Sequence, residues 1–66
     1  MDVILEGLKD AIEDEVSAQK KYKVLKEKAE DDKLKALFEQ LIEDEEEHEK
    51  ILRSRYQAVK KMRADE

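Results

Sequence analysis

The chain has no cysteine and no proline, and Gly7 is its only glycine. Without cysteine, the chain cannot form disulfides, zinc fingers, a thiolate nucleophile or a cysteine-ligated iron site. Without proline and with a single glycine, it lacks the turn residues from which β-hairpins are built. Asp, Glu, Lys and Arg make up 50% of the residues, and this composition favours helix almost throughout. We therefore expect an all-α chain.

Long apolar runs are also missing. No run approaches the ~20 residues that cross a bilayer, and the start at Met1-Asp2 lacks the basic and apolar regions of a signal peptide. The net charge is -5, from 14 basic and 19 acidic residues, whereas a nucleic-acid partner requires a clustered positive face. We expect neither a membrane nor a nucleic-acid partner, and a cytoplasmic location.

The spacing of the apolar residues predicts two long amphipathic helices, over residues 3–29 and 33–62, with a tight turn at 30–32. The inward face of the first helix holds two neighbouring rows. One row is Ile4, Ala11, Ala18 and Leu25, and the other is Leu8, Glu15, Tyr22 and Ala29. Leu5 and Ile12 widen this face. The inward face of the second helix also holds two rows. One row is Leu34, Leu41, His48, Arg55 and Met62, and the other is Phe38, Glu45, Leu52 and Val59. Leu37, Asp44, Ile51 and Ala58 lie between these rows. Either Asp31 or Asp32 is expected to cap the second helix.

A single hairpin of this kind would leave one flank of each apolar stripe in water. A chain of 66 residues is also close to the size at which buried surface becomes marginal for stability. We therefore expect residues 1–66 to form one domain, an antiparallel helical hairpin. This hairpin should pair with a second copy into a four-helix bundle, as a homodimer or a higher homo-oligomer.

Three ionisable residues interrupt the apolar rows: Glu15 in the first helix, and Glu45 and His48 in the second. Glu45 and His48 are three positions apart, so they share one face of the helix and can reach the same ion. Antiparallel packing places residue 15 opposite about residue 47, so we expect the three side chains to converge. Burying them unpaired would be costly, whereas a metal ion would neutralise the carboxylates.

One hairpin supplies two carboxylates and one imidazole, which is too few for a closed metal site. A two-fold dimer supplies a Glu from each of two helices and a Glu-x-x-His from each of two others, the ligand set of di-iron carboxylate bundles. Two divalent ions would cancel its four negative charges. Iron or manganese suits such mixed oxygen and nitrogen ligands, and zinc could also bind.

Metal-free interpretations of the same residues stay open. His48 could form a hydrogen bond with Asp44 or Glu45, and Glu15 could pair with Arg55 of a second chain. The chain would then be a non-enzymatic oligomerisation module, and added metal would leave its melting temperature unchanged. The other glutamates of the acidic segment are expected at the surface: Glu43, Glu46, Glu47 and Glu49.

The sequence resembles one half of a rubrerythrin or ferritin-like domain over about residues 8–52. The matching residues are Ala11-Ile12, Glu15, Ala18 and Tyr22, then Leu34, Leu37-Phe38, Leu41, Glu45 and His48. Glu15, Tyr22 and the Glu45-x-x-His48 spacing are also similar to half-size encapsulated ferritins. The resemblance implies that Glu15 is a terminal iron ligand, that Glu45 bridges two irons and that His48 caps one of them. It also places Tyr22 beside the cluster as a candidate catalytic residue, although Tyr22 could instead be a core residue whose hydroxyl bonds a carboxylate. We expect oxidation of ferrous iron as the activity, because it needs only iron and an oxidant.

The sequence departs from that family in three respects. Full-length rubrerythrins contain two such halves and a cysteine-ligated domain, so peroxide reduction, the alternative activity, would need an external electron donor. Ala18 stands where peroxide-reducing relatives carry a further glutamate, which favours ferroxidase chemistry. The last residues, 63–66, show no shell-targeting pattern. A storage compartment is still an expected partner, and a location inside such a compartment an alternative, because a four-helix dimer has no cavity for mineral.

Overall fold

Two antiparallel helices account for the fold in a computed structural model, which describes residues 2–65. Helix α1 spans Val3–Lys28 and helix α2 spans Asp32–Ala64, and there is no strand within the described range. The hairpin is elongated, at 53 × 17 × 10 Å, and the predicted all-α hairpin is confirmed. Met1 and Glu66, the first and last residues of the expected domain, lie outside the described residues.

An aspartate caps the N-terminus of each helix. The Asp2 side chain accepts hydrogen bonds from the backbone N–H groups of Ile4 and Leu5, at 3.1 and 3.2 Å. Asp31 accepts one from the backbone N–H of Leu34, at 2.7 Å, so Asp31 is the cap and Asp32 is the first residue of α2. Both caps satisfy N–H groups that have no partner inside the helix.

The helix bounds differ slightly from the predicted spans of 3–29 and 33–62. Helix α1 ends at Lys28 because the backbone of Ala29 is extended, with φ -70° and ψ 134°. Helix α2 starts one residue earlier than predicted, directly after its cap, and continues to Ala64. The connection is therefore very short, which holds the two helices side by side in antiparallel orientation.

The contact between the helices is narrow. Among residues 2–65, only Ile12, Gln19 and Ile42 are buried. Most residues of the rows predicted to face inward are partly buried, but several large apolar ones stay exposed in the single chain: Ile4, Leu25, Leu34, Leu37, Ile51 and Met62. Ile42, which the predicted rows omitted, is the more buried of the two buried isoleucines, at 4% exposed. The reason is that one helix covers only one side of its neighbour's apolar stripe.

Polar contacts hold the two ends of the hairpin together. Lys26 is paired with Glu39 close to the turn. At the open end, Arg63 Nε donates a hydrogen bond to Asp2 Oδ2 at 2.7 Å. These two contacts join residues at matching heights, as the antiparallel register requires, although exposed pairs of this kind contribute little stability. Within the described residues, neither helix combines the length and apolar character required to cross a membrane.

We expect Asp2→Asn to remove an acid-sensitive part of the stability. The hydrogen bond from Arg63, followed by that from the backbone of Leu5, lowers the pKa of Asp2 below its ordinary value of 3.8. Because the folded state favours the ionised carboxyl, Asp2 stabilises the fold above about pH 3.8, and this stabilisation is lost as the pH falls further. Thermal unfolding of both proteins between about pH 7 and about pH 3 measures this difference. A Tm difference that does not shrink in acid would contradict the prediction.

We expect Gly7→Ala to raise the melting temperature. A Cβ added at Gly7 would meet no atom within 4 Å, and glycine inside a helix costs about 0.5–1 kcal/mol relative to alanine. The expected rise in Tm is about 2–8 °C for a chain of this size. Calorimetry at one fixed protein concentration tests it. A lower Tm would indicate that a second chain packs closely against this position.

Candidate metal centre

The two helices bring Glu15, Glu45 and His48 together halfway along the hairpin. His48 Nδ1 lies 3.5 Å from Glu15 Oε2 and 3.7 Å from Glu45 Oε2. One potential ligand atom from each residue lies within 4.8 Å of the other two. Metal–oxygen and metal–nitrogen bonds of about 2 Å leave ligand atoms about 3–4 Å apart. The expected convergence is therefore observed, at a spacing that allows one ion to contact all three residues.

Regular helix geometry produces this arrangement without any irregular backbone. Glu45 and His48 lie one turn apart on the same side of α2, and Glu15 reaches them from α1 at the height set by the antiparallel register. Residues 2–65 contain no cis peptide bond and no residue with positive φ. The site therefore rests on two helices of regular backbone.

The contacts within the cluster are too long to be hydrogen bonds. Both carboxylate oxygens are 3.5 Å or more from His48 Nδ1, beyond the usual 2.7–3.2 Å for N–H donors. Asp44, the other proposed partner of His48, instead accepts a hydrogen bond from Gln40 at 3.0 Å. His48 is thus not held by hydrogen bonds to the carboxylates around it.

Glu15 carries the clearest sign of a missing partner. Its Oε2 atom is buried and has no hydrogen bond, although its side chain as a whole remains 22% exposed. A carboxylate oxygen taken out of water without a donor is unfavourable. A bound cation would satisfy it, so the residues present fit a metal ion.

His48 is less buried than the sequence predicted. Its side chain is 56% exposed, against 19% for the Glu45 side chain. The expectation that both lie on a buried stripe is therefore wrong for His48 in the single chain. The physical reason is that His48 lies at the edge of the contact between the helices, where its ring reaches Glu15 but α1 covers only part of it.

A second polar group crosses the interface close to the cluster. Gln19, buried on α1, donates from Nε2 to Glu49 Oε1 at 2.7 Å, and Arg53 Nε donates to Glu49 Oε2 at 2.7 Å. The hydrogen bond from Gln19, then that from Arg53, lowers the pKa of Glu49 below its ordinary value. The expectation that Glu49 is a surface charge is therefore wrong, because it bonds across the helix contact.

Sequence reasoning missed this group although a weak signal was present. Gln19 continues a row of seven-residue spacing that starts with Leu5 and Ile12, and Glu49 lies between Ile42 and Tyr56 in the same way. These two rows are the ones that face each other in the hairpin. Tyr22 is half-buried on α1, seven residues after Glu15, and its role beside the cluster stays a prediction.

A helical hairpin that gathers two glutamates and a histidine at its middle defines a class of protein, the carboxylate-rich half-bundles of ferritin-like type. Comparison with known families agrees with this class. The family profile for Rubrerythrin matches residues 6–66, and the chain belongs to the rubrerythrin family. No curated protein and no solved structure gives a significant match. The match contains the whole range of residues 8–52 over which the sequence resembles this family, and the resemblance is confirmed.

Proposed function

We propose that this chain binds ferrous iron at the cluster of Glu15, Glu45 and His48 and oxidises it, in a site shared between two copies. The observation that carries the proposal is the buried Glu15 Oε2 without a hydrogen bond, set 3.5 Å from the imidazole of His48. Iron fits this mixture of carboxylate and imidazole, and manganese or zinc would compete for it.

The ligand set of one chain supports sharing between copies. Each chain offers two carboxylates and one imidazole, and the exposed His48 leaves the cluster open on one side. A second copy placed on that side would double the ligand set and close the site. Two divalent ions would then balance the four carboxylates and share ligands from both chains, whereas an ion held by a single chain would have most of its coordination shell filled by water.

The apolar residues of α2 are arranged symmetrically about the cluster. Leu34 and Leu41 lie 11 and 4 residues before Glu45, and Leu52 and Val59 lie 4 and 11 residues after His48. A two-fold axis through the cluster would therefore bring the apolar positions of one α2 against those of its partner. Such self-complementarity is what a two-fold interface requires.

Helix α1 shows the same symmetry. Ile4 and Leu25 lie 11 and 10 residues on either side of Glu15, and both are exposed in the single chain, at 54% and 37%. Ala11 and Ala18, nearer to Glu15, have small side chains that would allow close approach of a partner helix. The unpartnered flank is therefore suited to a second copy of this chain with the cluster at the centre.

Ferrous iron is the substrate in this reaction. Two ferrous ions each give one electron to dioxygen, which takes up two protons and leaves as hydrogen peroxide, while both ions become ferric. Carboxylates are hard, anionic ligands and favour the higher charge of the product ion. Glu15 would hold bound iron as a terminal ligand, Glu45 would bridge the two ions, and His48 would be a neutral ligand through Nδ1, the atom that lies 3.5 Å from Glu15 Oε2. Tyr22 is proposed to lie beside the cluster.

Native mass spectrometry of the wild-type chain tests the proposal. The mass is measured before and after anaerobic addition of ferrous iron, with manganese and zinc in parallel, and oxygen uptake is then followed in air. We expect a dimer that takes up two irons and consumes about one dioxygen for each iron pair, with release of hydrogen peroxide.

Three other outcomes would change the assignment. An oligomer that ignores all three metals would overturn the metal site and favour a salt-bridged helical module. A loaded dimer that consumes no oxygen would retain metal binding and reject the ferroxidase activity. Oxidation by hydrogen peroxide but not by dioxygen would favour the peroxide-reducing alternative, with an external electron donor.

A further inference from the structure

Gln19 is a polar residue where the helix contact would ordinarily hold an apolar one. It is 8% exposed, the same as the neighbouring Ile12, and its Nε2 atom donates to Glu49 Oε1 at 2.7 Å. A buried amide is tolerated only when it is hydrogen-bonded, so the pair is specific in geometry. An apolar side chain of similar size would fill the space without needing a hydrogen-bond partner.

The bond lies level with the cluster, because the two helices run in opposite directions. Gln19 follows Glu15 by four residues, and Glu49 follows Glu45 by four residues. Each residue of the bond is therefore one turn from a proposed ligand on its own helix, Gln19 towards the turn and Glu49 away from it, so the bond joins the two segments that carry the ligands. Because the helices are rigid over one turn of about 5.4 Å, a bond at this height limits how far the two carboxylates can separate or slide.

Glu49 is itself withheld from the cluster. Its Oε1 atom accepts from Gln19, and its Oε2 atom accepts from Arg53 at 2.7 Å. Both oxygens are thus occupied by donors within the chain. Glu15 differs from Glu49 in this respect, because its Oε2 atom is buried and accepts no hydrogen bond.

We propose that the hydrogen bond between Gln19 and Glu49 is a positioning contact, which sets the spacing of Glu15 and Glu45 for metal binding. This inference rests on the proposed function. Gln19 and Glu49 do not ligate the metal in this scheme. They act through the two helices, so their loss should change the affinity and the geometry of the site more than the stability of the hairpin.

The test compares variants of Glu49 and Gln19 with Co²⁺ alone as the probe, because its visible absorption reports ligand geometry. Glu49→Gln and Glu49→Met both remove the charge, but only Glu49→Gln keeps an oxygen that accepts from Gln19. Gln19→Met breaks the same bond from α1 and keeps the charge of Glu49. We expect both Met variants to bind Co²⁺ about tenfold more weakly, with an altered spectrum. Glu49→Gln should recover most of the wild-type spectrum.

Lys26→Met is the matched control. It removes another polar contact between the helices, the pair of Lys26 with Glu39, near the turn and away from the cluster. It should retain the wild-type Co²⁺ spectrum and affinity even where circular dichroism shows a similar fall in thermal stability.

The outcomes separate the two proposals. If wild-type protein does not bind Co²⁺, the proposed metal site fails, and the positioning contact with it. If wild-type protein binds Co²⁺ and both Met variants match it, only the positioning contact fails. An equal loss in Glu49→Gln would assign the effect to charge, and an equal loss in Lys26→Met would assign it to general stability. Each of these results would overturn the inference. If Gln19→Met does not fold, the comparison of the two Glu49 variants decides alone.

Discussion

Replacing Glu45 with alanine is expected to lower the affinity for ferrous iron at least about 100-fold while the chain stays assembled. A two-fold pair loses one ligand from each chain, and changes even to the partners of metal ligands cost 10–100-fold. Without metal, the variant should be at least as stable as the wild type, because one carboxylate of the crowded cluster is removed from each chain. The measurement is Tm with and without ferrous iron under anaerobic conditions. The rise caused by metal should be lost.

Glu46→Ala is the control for this experiment. Glu46 is the exposed neighbour of Glu45, so the substitution removes the same charge and the same side chain but leaves the cluster intact. A similar loss of affinity in both variants would point to diffuse attraction of cations by the acidic segment. A metal-free Glu45→Ala protein that is clearly destabilised would instead favour the alternative in which the cluster is a structural ion pair.

The second large effect is expected from Leu34→Glu, which should weaken the dimer roughly 100-fold. Leu34 is 43% exposed in the single chain and lies on the symmetric apolar face. Placing a carboxylate there on both copies should cost about 2–3 kcal/mol of association. Within one chain the change is mild, because a glutamate in the first turn of α2 suits the helix N-terminus. Analytical ultracentrifugation, followed by iron titration, should show that dimer and metal binding are lost together.

Val24→Glu provides the matched comparison for Leu34→Glu. Val24 is 48% exposed, but it follows Glu15 by nine residues and therefore lies on the opposite side of α1. The Val24→Glu substitution should leave the dimer and the metal affinity unchanged. Direct electrostatic effects are small in Leu34→Glu, since Leu34 lies 11 residues from Glu45, about 16 Å along the helix and beyond the screening length of about 8–10 Å. A monomer that still binds two irons would refute the shared site.

The convergence of the cluster could be predicted from the sequence because it depends on two regular quantities. Helical period places Glu45 and His48 on one face, and antiparallel packing across a short turn fixes which part of α1 lies opposite. The turn itself was indicated by the aspartates at 31 and 32. The identity of the capping residue could not be predicted, since both side chains have the required chemistry and only the backbone decides between them.

The direction of each apolar stripe was harder to predict. Period alone defines a wide stripe, and it does not say which line packs inside the chain and which stays available to another chain. Ile42 was therefore missed, and His48 was expected to be more buried than it is. The bond between Gln19 and Glu49 was missed for the same reason, because both residues lie on the lines of Ile12 and Ile42 that pack inside the chain, whereas the predicted rows were centred on neighbouring positions.

The narrow contact between the helices has a consequence for how much folded protein a cell can hold. Ile12 and Ile42 are the only buried apolar residues among 2–65, too few to offset the conformational entropy lost on ordering two long helices. We therefore expect folding and pairing to be one bimolecular event, with an unfolding midpoint that rises with protein concentration. At low expression most chains would be unfolded and open to proteolysis. The folded pool would then grow faster than the number of chains made, so that synthesis rate sets a threshold below which the site scarcely forms.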